Sequence, residues 1–294
     1  MKNRVARPAG LAFLALLFLA AFRAGAAEPV GRLVSLAPSL TEMVFAIGAG
    51  DRLVGVTDHC RYPPEAAAIA KVGGYQTPNF EAILALNPDI VLTLREHSPS
   101  HPLLASLGLR YEVFDHRSLA GLLDSFTRLG ELCDRAQPAA LLRDEVAEAL
   151  RPPPDYREEE APSLLFVIGR DYGKGLIANA TVVGRDGLYE NLITAVGCRN
   201  AYRGDAAYPS LSGEGVALLD PDIVVEGVYA EMGTGLDETV LRLDWDILPG
   251  VAAVREDRVY YIRSDYVFIP GARLVLLKRD LAAAVAGLPV TGLP

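Results

Sequence analysis

From Arg32 onward, short apolar runs alternate with helical patterns. Arg32 to Leu36 (RLVSL) reads as a strand. Pro38, Ser39 and Thr41 then introduce a helical run from Glu42 to Ile47, which Gly48 and Gly50 stop. Leu53 to Thr57 is a second strand, and Phe80 to Leu86 a short helix broken by Asn87-Pro88. Asp89 to Leu94 is a third strand, Leu103 to Leu107 a helix and Tyr111 to Phe114 a strand. Two helices follow, over Ser118 to Cys133 and Pro138 to Leu150, and Arg151-Pro152-Pro153-Pro154 ends the second. Beyond a polar stretch from Asp155 to Pro162, strands are expected at Leu164 to Ile168, Ile223 to Glu226 and Val259 to Ile262. Helices are expected at Leu188 to Val196 and Gly271 to Ala286. Strands alternating with helices imply an α/β fold with mainly parallel sheets covered on both faces.

The chain also repeats itself. Glu81 to Leu92 (EAILALNPDIVL) is echoed by Glu214 to Val225 (EGVALLDPDIVV), 133 residues later. A weaker echo pairs Thr41 to Gly48 (TEMVFAIG) with Glu190 to Gly197 (ENLITAVG). That period is too long for a solenoid and fits two related lobes joined by a helix. The expected organisation is a leader over 1–27, a lobe over 28–136, a bridging helix over 137–154 and a second lobe over 155–294.

The leader rests on three positive charges before an apolar run from Leu11 to Phe22, followed by the small residues Ala24 to Ala27. The run is shorter than the roughly 20 residues that span a bilayer, and no Cys follows it for lipid attachment. A cleaved signal peptide and a soluble, exported, periplasmic and monomeric protein are expected. The whole chain has 28 Lys+Arg against 37 Asp+Glu. Without Lys2, Arg4, Arg7 and Arg23 the balance is 24 against 37, a net of −13. A body so acidic argues against nucleic acid or an anionic membrane surface as partner. Cys60, Cys133 and Cys198 are too widely spaced for a metal pair or a disulfide framework. Cys60 and Cys133, both in the first lobe, could bridge, or all three could remain buried thiols. Nucleotide loops, GxSxG and HExxH are absent, and only four His occur, so no cofactor or metal is expected. An exported enzyme on the same two-lobe scaffold would need a convergent Ser/His/acid or multi-His site, against which the sparse His residues count.

The segments RLVSLAPSLTEMVFAIGAGDRLVGVT, Tyr62-Pro63-Pro64-Glu65, KVGGYQTPNFEAILALNPDIVL, LLDPDIVV, DRVYYIRSDY and PGARL, in this order, resemble the class III periplasmic substrate-binding proteins of ABC importers. Within that family, which carries cobalamin, haem and ferric siderophores, the vitamin B12-binding branch is the nearest pattern. The resemblance runs from about Arg32 to Ala286. It implies two α/β lobes joined by one long helix, a ligand held between them without chemistry, and delivery to a membrane permease. Cobalamin or a related corrinoid is the expected ligand, with haem or a ferric siderophore as alternatives.

A flat macrocycle calls for aromatic walls, and this chain has 12 Tyr but one Trp. Tyr75, in a GGYQTPN loop, matches an aromatic ligand contact of the family. Tyr208 before Pro209 and Tyr266 beside Asp265 match further pocket positions. His59 and Tyr62 follow a strand, as do Tyr229 and Arg95, and strand C-termini are where open α/β sheets bind ligands. Trp245 is expected to pack a helix against its lobe. The resemblance also implies docking on the permease through one acidic residue per lobe, for which Glu42 and Glu190 are the candidates.

Overall fold

The computed structural model describes residues 30–185, 187–229 and 237–290; the leader expected over 1–27 lies outside them. The first sheet contains β1 (Leu33–Ser35), β2 (Leu53–Val56), β3 (Ala70–Lys71), β4 (Ile90–Leu94) and β5 (Tyr111–Phe114), in the order β3-β2-β1-β4-β5. Every pairing is parallel, with Leu33 opposite both Leu53 and Ile90. β1 and β4 are buried along their whole length, as expected of strands covered on both faces. The covering helices are α1 (Pro38–Ala46), α2 (Phe80–Ala85), α3 (His101–Ser106) and α4 (Leu119–Leu132). α1 begins earlier than the apolar pattern suggests, because Pro38 sits in its first turn, where a missing N–H costs nothing.

α5 (Ala136–Ala149), about 21 Å long at helical rise, leads to the second lobe. It packs closely along α4. A Cβ on Gly130 would stand 2.5 Å from the Ala139 Cβ, so only glycine permits the approach. The second sheet has β6 (Ser163–Gly169), β7 (Ala180–Val182), β8 (Arg199–Asn200), β9 (Ser210–Leu211), β10 (Ile223–Gly227) and β11 (Val259–Ile262). Its order is β11-β10-β6-β7-β9, with β8 also pairing β6. The pairs β6–β10, β10–β11 and β6–β8 are parallel, whereas β7 runs antiparallel to β6 and β9. The remaining helices are α6 (Leu188–Ala195), α7 (Gly213–Leu219), α8 (Glu238–Asp246), α9 (Ala252–Arg255) and α10 (Leu274–Val285). β3 and β7 to β9 are two or three residues long, too short for a periodicity to announce them.

The sequence echo is a structural repeat in strict 133-residue register. Asn79 caps α2 by accepting from the Ala82 N–H, and Ser212 caps α7 by accepting from the Gly215 N–H. Asn87 and Asp220 leave those helices in the left-handed conformation, at φ 44° and 42°. Asp89 accepts from the Gly31 and Arg32 N–H groups, and Asp222 from the Ser163 N–H and hydroxyl, so each ties the start of its lobe's central strand.

One hydrophobic cluster runs through both lobes, from Leu33 and Phe126 past Val146 on α5 to Phe166 and Leu277. Polar contacts add to it. Arg273, just before α10, reaches across to Glu42 on α1, donating from Nε to Oε2 at 2.8 Å and from Nη2 to Oε1. Its Nη1 donates to Asp265 at 2.6 Å, and its guanidinium lies 4.2 Å above the Tyr62 ring. Burial pushes the Glu42 carboxyl up to about 7, against the downward pull of Arg273. Also on α1, the Ser39 hydroxyl contacts His116 Nδ1 at 3.0 Å. Burial lowers the His116 imidazole to about 4, against opposing pulls from Asp115 and the Pro270 carbonyl.

Within the second lobe Arg170 is wholly buried. It donates to Glu226 at 2.8 Å and to Asp244, which also accepts from the Gly173 and Gly175 N–H groups. Trp245 is fully buried as well and donates to Glu226 at 2.9 Å. This network fixes the 170–175 loop to β10 and α8.

Two predictions follow from these buried groups. Glu226→Ala removes one of the two carboxylates on a buried guanidinium and leaves a buried indole N–H unpaired. It should cost about 3–5 kcal/mol in urea unfolding, and a loss below about 1 kcal/mol would contradict the account. An imidazole kept neutral by burial stabilises the fold fully above its ordinary value of 6.5 and less as pH falls towards 4. His116 should therefore account for about 3 kcal/mol of lost stability across that window. His116→Gln should flatten the curve; an equal acid loss in the variant would rule this out.

Candidate functional site

The C-terminal ends of the strands in both sheets open onto one cleft of about 530 Å³. Pro38 and Ser39 follow β1, His59 and Arg61 follow β2, and Leu94 and Glu96 stand at the end of β4. From the second lobe come Ile168 on β6, Tyr229 after β10 and the segment Asp265 and Val267 to Pro270 after β11. Tyr75 reaches in from the loop before α2, Tyr208 from the loop before β9 and Tyr189 from the first turn of α6. This is the crevice position expected for open parallel sheets.

The repeat relates two pairs of cleft residues. Tyr75 and Tyr208 are 133 residues apart, each six residues ahead of the glutamate in its lobe's first helical turn; Glu96 and Tyr229 are related by the same offset. The Tyr75 hydroxyl donates to Glu96 Oε1 at 2.7 Å, and its ring meets the His97 ring edge-on at 4.6 Å. Burial, and then Glu96, push the Tyr75 phenol far above its ordinary value. Tyr208 packs edge-on against Tyr189, whose hydroxyl donates to the Val267 carbonyl at 2.8 Å and pins the 265–270 segment. Burial raises the phenols of Tyr189 and Tyr208, so both are neutral donors at physiological pH. Tyr229 packs edge-on against Phe268 at 5.4 Å. The wall is thus hydroxyl-tipped aromatic surface from both lobes, with His59, Arg61, Glu96 and Asp265 as its charged or titratable members. Among the described residues no group of three or more His, Cys, Asp or Glu is arranged to hold a metal ion.

Of the residues singled out from the sequence, Tyr75, Tyr208, His59, Tyr229 and Asp265 line the cleft. Asp265, however, already accepts from Arg273. Three others do not line it. Tyr62 turns to the Arg273 guanidinium. Tyr266 is only 2% exposed and donates to Asp280 within its own lobe. Arg95 points to solvent and pairs with Asp115 at 3.6 Å. Strand-end position alone could not separate these cases, because all three lie in loops or tight turns beyond the strands, where no strand alternation fixes the side-chain direction.

Of the two docking candidates, the geometry speaks against Glu42. Glu42 is 3% exposed and closed by two guanidinium bonds, so it has no face left for a permease arginine. Glu190 is half-buried and accepts from Asn200 Nδ2 at 2.8 Å, and burial raises its carboxyl. Cys60, Cys133 and Cys198 are buried, unpaired thiols. The sequence reading missed Arg61, Glu96, Tyr189 and Phe268. The 133-residue offset from Tyr229 would have pointed to Glu96; Tyr189 sits in a helical pattern that gives no such signal.

A family model described as periplasmic binding protein matches residues 33–266. The chain is similar to a vitamin B12-binding protein of Vibrio campbellii, 28% identical over 251 residues, covering 83% of this chain and 86% of that protein. It is similar to an ABC transporter substrate-binding lipoprotein of Bacillus subtilis, 26% identical over 267 residues, covering 87% of this chain and 79% of the other. The solved structure of a periplasmic haem-binding protein from Pseudomonas aeruginosa matches with a TM-score of 0.71 at 25% identity, over 90% of this chain and 97% of that one. The matched span takes in both sheets and most of the cleft wall, and the chain belongs to the periplasmic binding protein family.

Proposed function

We propose that this protein captures cobalamin or a related corrinoid in the inter-lobe cleft and delivers it to the membrane permease of an ABC importer. It binds and releases, and does no chemistry. The observation that carries this reading is the aromatic wall supplied by both lobes: Tyr75 on one side, Tyr208, Tyr229 and Phe268 on the other. Such rings cover a flat macrocycle at low entropic cost, and neutral hydroxyl tips suit the amide groups that fringe a corrin. The likeness to vitamin B12-binding proteins over most of the chain points the same way. Residues 1–27 would direct export to the periplasm before cleavage. Haem is the second reading, favoured by the likeness to the Pseudomonas protein and by His59 and Arg61 in the cleft.

For docking, the repeat offers one exposed carboxylate per lobe in place of Glu42 and Glu190. Glu81 and Glu214 occupy matching first-turn positions of α2 and α7, directly after the loops that carry Tyr75 and Tyr208. A pair of carboxylates flanking the cleft mouth could meet a basic residue on each permease subunit.

Calorimetric titration of the chain from Glu28 onward with cyanocobalamin should give one-to-one binding, and no binding would reject the corrinoid reading. Tyr208→Ala should weaken that binding by about thirtyfold, while Tyr266→Phe should leave it within about twofold. Equal effects would remove Tyr208 from the pocket. Glu81→Lys with Glu214→Lys should cut cellular uptake about tenfold or more with the dissociation constant unchanged; normal uptake would reject these docking residues.

A further inference from the structure

The Tyr75–Glu96 pair does more than decorate the wall. Tyr75 is held from two sides by consecutive residues. Its hydroxyl donates to Glu96 at 2.7 Å, and His97 braces its ring. His97 is itself fixed. It is buried, and its Nδ1 accepts from the Leu94 N–H at 3.1 Å, which leaves the ring proton on Nε2. Burial also keeps this imidazole neutral. Tyr75 therefore faces the cleft as a phenol whose proton is committed to a carboxylate. Across the cleft, Glu96 acts on Tyr208 as well, raising that phenol after burial has done so. In the second lobe the position equivalent to Glu96 holds Tyr229, so the carboxylate belongs to one half of the repeat only.

We infer that Glu96 is a specificity-determining residue that turns the cleft against ferric, carboxylate-bearing macrocycles and towards neutral, amide-bearing ones. Ligation of ferric haem by Tyr75 would form an iron–oxygen bond and break the phenolic O–H. The proton would go to solvent, and the water or chloride on the iron would leave. A phenolate formed there would stand at hydrogen-bond distance from the Glu96 carboxylate, and two like charges so close are mutually disfavoured. The propionates of haem would meet the same carboxylate. An amide N–H₂ would instead find an acceptor in the second Glu96 oxygen and another in the Tyr75 oxygen. Because Glu96 is exposed, water screens the repulsion and the effect is moderate in size.

This inference rests on the macrocycle-binding reading of the cleft but not on which macrocycle is the natural one. The test titrates haemin and cyanocobalamin into the wild type, Glu96→Gln, and Glu96→Gln combined with Tyr75→Phe, recording visible spectra throughout. Gln keeps the size and an acceptor while removing the charge. Glu96→Gln should bind haemin about tenfold more tightly than the wild type, with a phenolate-to-iron charge-transfer band that Tyr75→Phe abolishes. Its cyanocobalamin affinity should not rise, so the ratio of haemin to cyanocobalamin affinity should move about tenfold or more towards haemin. A Tyr75-dependent band already present in the wild type, or no haemin gain in Glu96→Gln, would overturn the inference. The haemin arms decide Glu96 alone; the wild-type cyanocobalamin titration separately decides the corrinoid reading.

Discussion

The guanidinium of Arg273 ties the two lobes together at the edge of the cleft. It leaves the second lobe just before α10, meets Glu42 of the first lobe, holds Asp265 beside the pocket and stacks on Tyr62. Desolvating such charges is costly, and the cost is offset only when every bond is made together. An arrangement that separated Glu42 from Arg273 would leave a buried charge without a partner. The pair therefore favours the lobe geometry in which both sets of strand ends face each other. α5 and the shared hydrophobic cluster restrain the same geometry from behind. Large hinging would disrupt all three, so ligand entry with modest lobe motion agrees with the architecture.

Inside that frame the two halves of the repeat keep common structural devices and differ at the site. The helix caps Asn79 and Ser212, the left-handed residues Asn87 and Asp220, and the strand-tying Asp89 and Asp222 recur in register. These positions solve backbone problems that each lobe shares. At the cleft Tyr75 and Tyr208 keep the aromatic wall, whereas Glu96 and Tyr229 diverge. Backbone needs are the same in both lobes, but a ligand presents a different face to each. The first lobe carries the carboxylate, and the second carries the cluster of rings around Tyr189, Tyr229 and Phe268.

The alternation of apolar runs and helical patterns determined the α/β class and the order of the long strands, because periodicity is a local property. The order of segments determined the family, and the echo marked the duplication. The family resemblance pointed to Tyr75 and Tyr208, and strand ends to His59 and Tyr229, as cleft residues. Only the tertiary structure decided which of their neighbours join them. It turned Tyr62 to Arg273, sank Tyr266 onto Asp280 and sent Arg95 out to Asp115. It also spent Glu42 on Arg273, a contact between residues 231 apart. Such partners come from opposite ends of the chain, and no local pattern records a distance that exists only once both lobes have folded.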